Sequence, residues 1–333
     1  MNTNITKSLF FVLVCLGLAS CSGGLMISRK PLQITASTST CLASESAYYY
    51  DSLVAASARN FKYDTSGCGE VIRNRFSRRA TNIAKDIGVY GLLCQYARLE
   101  AKTTKSNDPE LFAAKYELEQ RIGVASSDVT SILAEIDCEK SRISEVESHL
   151  DEWIDARINR FTVASILAGS ISAIATSAIA LDRPDDSNTE QQYTAISGAV
   201  VSGYLGLRAV SVKKKIKLMH ARNHLRDFLE NPKESRLYAP NIWNFIIKDF
   251  TIKDKKTTGR QEVLNRWAIL GFFDPQDKDY ERKRKLLMSD GGDYEIDDLV
   301  ARTAMLDVVA AEIDLIKYDI KRLQQEILLG KKL

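Results

Sequence analysis

Few side chains in this chain of 333 residues have types and spacings suited to chemistry. Cys41, Cys68, Cys94 and Cys138 are separated by 26, 25 and 43 residues and form no CxxC pair, so a zinc site is not expected. His220 and His224 are four apart, with Asp227 one turn further on a helix. Imidazoles at that spacing share a helix face and can hold a metal, yet no HExxH accompanies them and their neighbours are Lys and Arg. The expectation is a solvated basic helix face. Asp290-Gly291-Gly292-Asp293, followed by Glu295 and Asp297, lacks the alternating oxygen ligands and distal glutamate of an EF-hand. Asp293 is expected to cap the last helix instead. The run Asp274 to Asp279 reads as a turn, and serine-rich tracts occur without a GxSxG elbow. These residues predict no enzyme, and no cofactor, metal or small-molecule substrate. A net charge of +3 is too balanced to indicate nucleic acid as a partner.

The other two cysteines lie near the N-terminus. Lys7 precedes an apolar run, Leu9 to Leu18, too short to span a bilayer, and the run ends in Leu18-Ala19-Ser20-Cys21. An apolar residue, two small ones and a cysteine in that place resemble the lipobox of bacterial lipoproteins. The resemblance implies acylation of the Cys21 thiol, cleavage just before it and a second acylation of the new amino terminus. Ser22 rather than Asp after the cysteine implies, by the same likeness, sorting to the outer membrane. Cys15 would leave with the signal peptide. The four remaining cysteines would then sit in an oxidising compartment, where they can form two disulfides or stay as inert buried thiols. Three pairings are possible, and spacing does not choose among them.

These residues must be positioned by helices, because the apolar periodicity is helical almost throughout. Six prolines and no convincing strand alternation predict an all-α fold: an elongated helical bundle or coiled-coil stalk with a long hairpin carrying an apolar tip. The expected divisions are a signal peptide (1–20), a lipidated tether (21–40), an N-terminal helical subdomain (41–125), a long helical hairpin (126–230), a helical cap (231–294) and a C-terminal coiled-coil-like helix (295–333). Asn107-Asp108-Pro109-Glu110 starts a helix that Gly123 is expected to close, and Ser126-Ser127-Asp128 to reopen. Val129, Ile132, Ile136, Ile143, Val146, Leu150 and Trp153 then alternate by threes and fours, with Glu139 in the one polar slot. Leu306, Val309, Ile313, Ile316, Ile320, Leu323 and Ile327 form a matching seam. The aromatics Trp243, Phe245, Trp267, Phe272 and Phe273 mark the cap.

The hairpin carries two apolar segments, 161–181 and 193–212, joined by an acidic turn. Phe161 to Leu181 is 21 residues without a charge, about 30 Å of helix and close to a hydrocarbon thickness. Arg157 and Arg160 flank one base, and Arg208 with Lys213, Lys214, Lys215 and Lys217 the other, so both basic ends lie on one side. The return helix is expected to continue through those lysines to about Glu230. Ser165, Gly169, Ala173 and Ser177 recur every four residues, as do Ala195, Ala199 and Gly203, while Gly198, Ser202 and Gly206 make a further stripe. Small-residue stripes let helix backbones approach closely in lipid, and two on one helix suit a partner within the chain and another in a neighbouring subunit. The same stripes also fit a tightly packed helical bundle in water. The layout resembles that of conjugative surface-exclusion lipoproteins, which implies an oligomer with hairpins in the outer membrane. It is similar too to helical outer-membrane parts of secretion and export channels. The first expectation is thus an oligomeric structural lipoprotein of the envelope. The second is a soluble periplasmic adaptor or scaffold, with the bulk of the chain periplasmic in either case.

Overall fold

The computed structural model describes residues 41, 63–102, 108–182, 188–220, 222–252, 255–272 and 276–330. The signal segment, Cys21, the tether before Cys41 and the acidic turn 183–187 lie outside these. Three short helices, α1 (Cys68–Arg75), α2 (Arg78–Asp86) and α3 (Tyr90–Lys102), precede the long helix α4 (Pro109–Asp182) and its return α5 (Asn188–Val210). Then come β1 (Ile216–Met219), α6 (Arg226–Glu230), α7 (Pro240–Ile247), β2 (Asp249–Ile252), β3 (Lys255–Thr258), α8 (Gly259–Ile269), α9 (Tyr280–Met288), β4 (Gly291–Tyr294) and α10 (Ile296–Leu329). The fold is all-α, with two antiparallel two-stranded ribbons, β1–β4 and β2–β3, as minor additions.

α4 begins as expected, with Asp108 Oδ1 accepting from the Glu110 amide at 2.9 Å and Pro109 at the first helical position. It does not stop at Gly123. The helix runs unbroken for 74 residues, roughly 110 Å. The reason is the seam: Leu118, Ile122, Ala125, Val129, Ile132 and Ile136 continue the three-and-four alternation straight through the expected break, all buried. Gly123 lies on the outer face, where a glycine costs only about 1 kcal/mol of helix stability. Each large buried side chain contributes roughly 1.5–3 kcal/mol, so the seam overrides the local stop signal. Trp153, assigned to that seam from spacing, is instead 41% exposed.

α10 supplies the facing seam, with Leu299, Leu306, Val309, Ile313, Ile316, Ile320, Leu323 and Ile327 buried. Glu295 is its N-cap, and the Asp298 carboxylate accepts from the Glu295 amide at 3.1 Å. Asp293, expected to cap this helix, lies in β4 opposite Lys217. At the C-terminal end of α10, helices α1 to α3 fill the space beside α4. Glu326 is wholly buried and accepts from the Ser77 amide at 2.8 Å, while Tyr63 donates to Glu117 on α4 at 2.9 Å.

The return helix ends at Val210 rather than near Glu230, and the lysine run leads into a strand. β1 pairs with β4 so that Leu218 and Tyr294 reach the core. Gly291 makes this possible: its φ is 138°, and a Cβ there would lie 2.4 Å from the Leu218 carbonyl oxygen. The remaining cap is built on stacked and edge-on aromatics, Phe228, Tyr238, Trp243 and Trp267. The indole N–H groups donate to Pro232 O at 2.9 Å and Met305 O at 3.2 Å.

Candidate functional site

The distal half of α4 and α5 form a hairpin whose two faces differ in kind. Inward positions on α4 are Phe161, Ser165, Ala168, Ser172 and Ala175; those on α5 are Thr194, Gly198, Ser202, Leu205 and Ala209. The α4 set alternates by fours and threes, and the α5 set steps by four, four, three and four. Ser165 and Ser202 exchange hydrogen bonds with each other's backbone carbonyl, at 2.9 and 2.8 Å. Ser172 Oγ donates to Thr194 O at 2.8 Å. Gly198 meets Ser172 so closely that a Cβ would fall 2.1 Å from the serine Cβ.

This arrangement corrects the packing inferred from stripes. Ser165 and Gly169 do lie toward the partner arm, but Ala173, Ser177, Ala199 and Gly203 are exposed, and a Cβ on Gly203, like one on the half-buried Gly206, would meet nothing within 4 Å. Four residues advance a helix by about 40° more than one turn, so a four-spaced stripe winds off a contact face, whereas a heptad stays on it. The in-chain contact uses only Gly198 and Ser202 of their stripe, then shifts to Leu205 and Ala209, and the Ala195–Ala199–Gly203 stripe faces outward.

The outer face is apolar and uncovered. Ile166, Leu167, Ile171 and Ile174 on α4, and Ile196, Val200, Tyr204 and Leu207 on α5, are between 54% and 73% exposed. Among the described residues α4 is long and apolar enough to cross a membrane, with a mean hydropathy of 1.6 over its most apolar 18 residues and none of that window buried. α5, with more Gly and Tyr, does not reach the same measure, so the two arms are unequal. Every hydroxyl between Phe161 and Leu181 has a carbonyl acceptor inside the hairpin. Thr162, Ser170, Thr176 and Ser177 donate to the carbonyl four residues back, and Ser165 and Ser172 to the other arm.

At the base, the Ser165–Ser202 register sets Arg160 level with Arg208. Lys214 Nζ lies 4.3 Å from the Trp153 ring centre, and the Arg157 guanidinium 5.2 Å from that of Phe161. Glu295 draws Lys213 and Lys215 to 3.6 and 3.4 Å.

Further along the bundle, the α4–α10 seam contains one polar layer. Glu139 accepts from Arg302 Nη2 at 2.6 Å, and both are buried. Arg302 also donates to Leu287 O and Asn223 Oδ1. His220 Nδ1 lies 3.0 Å from Glu139, and Nε2 2.8 Å from the Tyr294 hydroxyl. Burial by itself would raise the Glu139 carboxyl, but Arg302 and His220 outweigh it and hold it far below the usual carboxylate range. Burial, aided by the Arg302 charge and opposed by Glu139, pushes His220 down to about 4. The neutral ring then donates from Nδ1 to Glu139, which leaves Nε2 an acceptor; the single Tyr294 hydroxyl proton is shared between Nε2 at 2.8 Å and Leu286 O at 3.2 Å.

His220 and His224 are therefore not a solvated helix face. His220 follows β1, His224 lies in the next turn, both are buried, and no metal-binding group of His, Cys, Asp or Glu occurs among the described residues. The partner of Glu139 was not named from sequence, though a signal existed. Arg302 interrupts the α10 seam three residues after Leu299, as Glu139 interrupts the α4 seam with the opposite charge.

The four cysteines form Cys41–Cys138 and Cys68–Cys94, with Cα atoms 5.7 and 5.8 Å apart. The second ties α1 to α3; the first fastens residue 41 to α4 beside the polar layer. No protein-family model matches the chain, and comparison with curated proteins and with solved structures finds no match.

Proposed function

We propose that the chain is a structural, lipid-anchored envelope protein that forms an oligomer and inserts the α4–α5 hairpin into the outer membrane. It would serve there as part of a channel, secretion or conjugation-related assembly. The supporting observation is the division of the hairpin, with every hydroxyl of the α4 arm bonded to a carbonyl inside the hairpin while Ile166, Leu167, Ile171, Ile174, Ile196, Val200 and Leu207 point outward. In hydrocarbon every polar group must find its partner inside the protein, and the α4 arm satisfies its hydroxyls that way. In water the outer face would be a contiguous apolar patch, which soluble monomers rarely expose. The outward Ala195–Ala199–Gly203 stripe supports a second copy as neighbour. Cys21, acylated as the lipobox resemblance implies, would hold the chain to the same membrane.

The deciding experiment is alkaline carbonate extraction of membranes from cells producing a Cys21→Ala form that is still secreted. Retention in the membrane pellet is expected, because the hairpin alone holds the chain. Full release would overturn the hairpin reading in favour of a periplasmic adaptor or scaffold.

A further inference from the structure

The hairpin base carries an arrangement that apolar insertion by itself does not require. Between Trp153 and Phe161 on α4, and between Leu207 and Lys215 on the return, stand six cations, Arg157, Arg160, Arg208 and Lys213 to Lys215, against a single carboxylate, Asp155. Glu295 engages Lys213 and Lys215. Arg160 and Arg208, level with each other on opposite arms, are exposed and have no carboxylate partner among the described residues. Lys214 and Arg157 lie on the rings of Trp153 and Phe161. The ring contacts hold two cations beside the helix shafts at the level where the apolar outer face begins.

We infer that this collar, led by Arg160 and Arg208, is a binding surface for anionic phospholipid headgroups in the leaflet next to the bundle. The inference rests on the membrane reading of the hairpin and adds the lipid class. A guanidinium engages phosphate oxygens in a bidentate manner. Two of them facing outward at one level fit phosphodiesters of the headgroup layer. Trp153 supplies the amphipathic ring found at membrane interfaces, and each cation near a negatively charged leaflet strengthens attachment several-fold.

The test is flotation of the full chain carrying Cys21→Ala, so that no acyl group contributes. Vesicles of phosphatidylcholine alone are compared with vesicles containing roughly a third phosphatidylglycerol. The expected result is tighter association with the anionic vesicles, lost on the order of tenfold in Arg160→Gln/Arg208→Gln, with helicity unchanged because both side chains are exposed. The control variant Arg284→Gln/Lys285→Gln removes two exposed charges from α9, outside the collar, and should bind as the parent does. Equal association with both vesicle types, an unaffected collar variant, or an equal loss in the control would overturn the collar while leaving the hairpin reading in place. Association with neither vesicle type would overturn both.

Discussion

Glu139 and Arg302 show how one buried pair can organise a seam that is otherwise apolar. Taking two charges out of water costs several kcal/mol each, and the geometry recovers this because the guanidinium also satisfies Asn223 and the Leu287 carbonyl. Such a layer works best as a register device, since a slipped α10 would leave both charges unpaired. His220 adds a pH dependence. Its folded-state value of about 4 lies below the ordinary 6.5, so below pH 6.5 the unfolded chain takes up a proton that the folded chain refuses. Stability should therefore fall as the pH drops from 6.5 toward 4, by a total on the order of 3 kcal/mol. Glu312, which burial pushes up to about 7, works in the opposite direction, its stabilisation being present at low pH and lost as the pH rises through 7. The comparison that isolates the imidazole is urea unfolding of the parent and His220→Gln at pH 7 and 5. The variant should lose less stability between the two, and parallel losses would rule His220 out as the source.

The hairpin contact depends on which glycine faces which neighbour. An isoleucine at position 198 must displace Ser172, whereas one at 203 meets open space. Gly198→Ile should therefore separate the arms and lower helicity in detergent. Gly203→Ile should keep the arms together and, if the outward stripe is the contact between copies, reduce the oligomer seen by detergent size exclusion. Identical behaviour of the two variants would contradict the assigned faces. The two disulfides act on different elements. Cys68–Cys94 closes a short loop within the three-helix unit, while Cys41–Cys138 spans 97 residues of sequence. In the chain-entropy account a loop of that length is worth about 4–5 kcal/mol. Protein taken from the periplasm should take up no alkylating reagent on these four cysteines when denatured without reductant. Peptide mapping should recover 41 with 138 and 68 with 94, and a 41–68 linkage would refute the pairing.

In the whole molecule, the two ends of α4 differ. Its first part packs against α10 and the small helices, and its last part carries the outward apolar face, so under the proposed function one continuous helix would couple the bundle to the membrane. If the hairpin crosses the membrane, its tip is exposed on the far side. A single cysteine at Asn188, where α5 begins, in a background lacking the other mature cysteines except Cys21, should react with a membrane-impermeant maleimide on intact cells. A cysteine at Ser144, on the exposed face of α4 beside the bundle, should react only after the outer membrane is permeabilised. Protection of the tip on intact cells would argue against a full span.

Local periodicity was sufficient for the α4 and α10 seams, the start of α4 at Pro109 and the apolar content of residues 161–181. Each is written within a few turns of one helix, where side-chain spacing directly reports the face it will occupy. Three outcomes needed the tertiary structure. The stop signal at Gly123 lost to a seam that exists only because α10 lies opposite. Lys213 to Met219 left the helix because β4 offers a ribbon partner more than seventy residues later, which also carries His220 into the core. The choice among three disulfide pairings and among three small-residue stripes was a matter of which segments lie side by side. Spacing along a chain states which residues share a face; only packing states what that face meets.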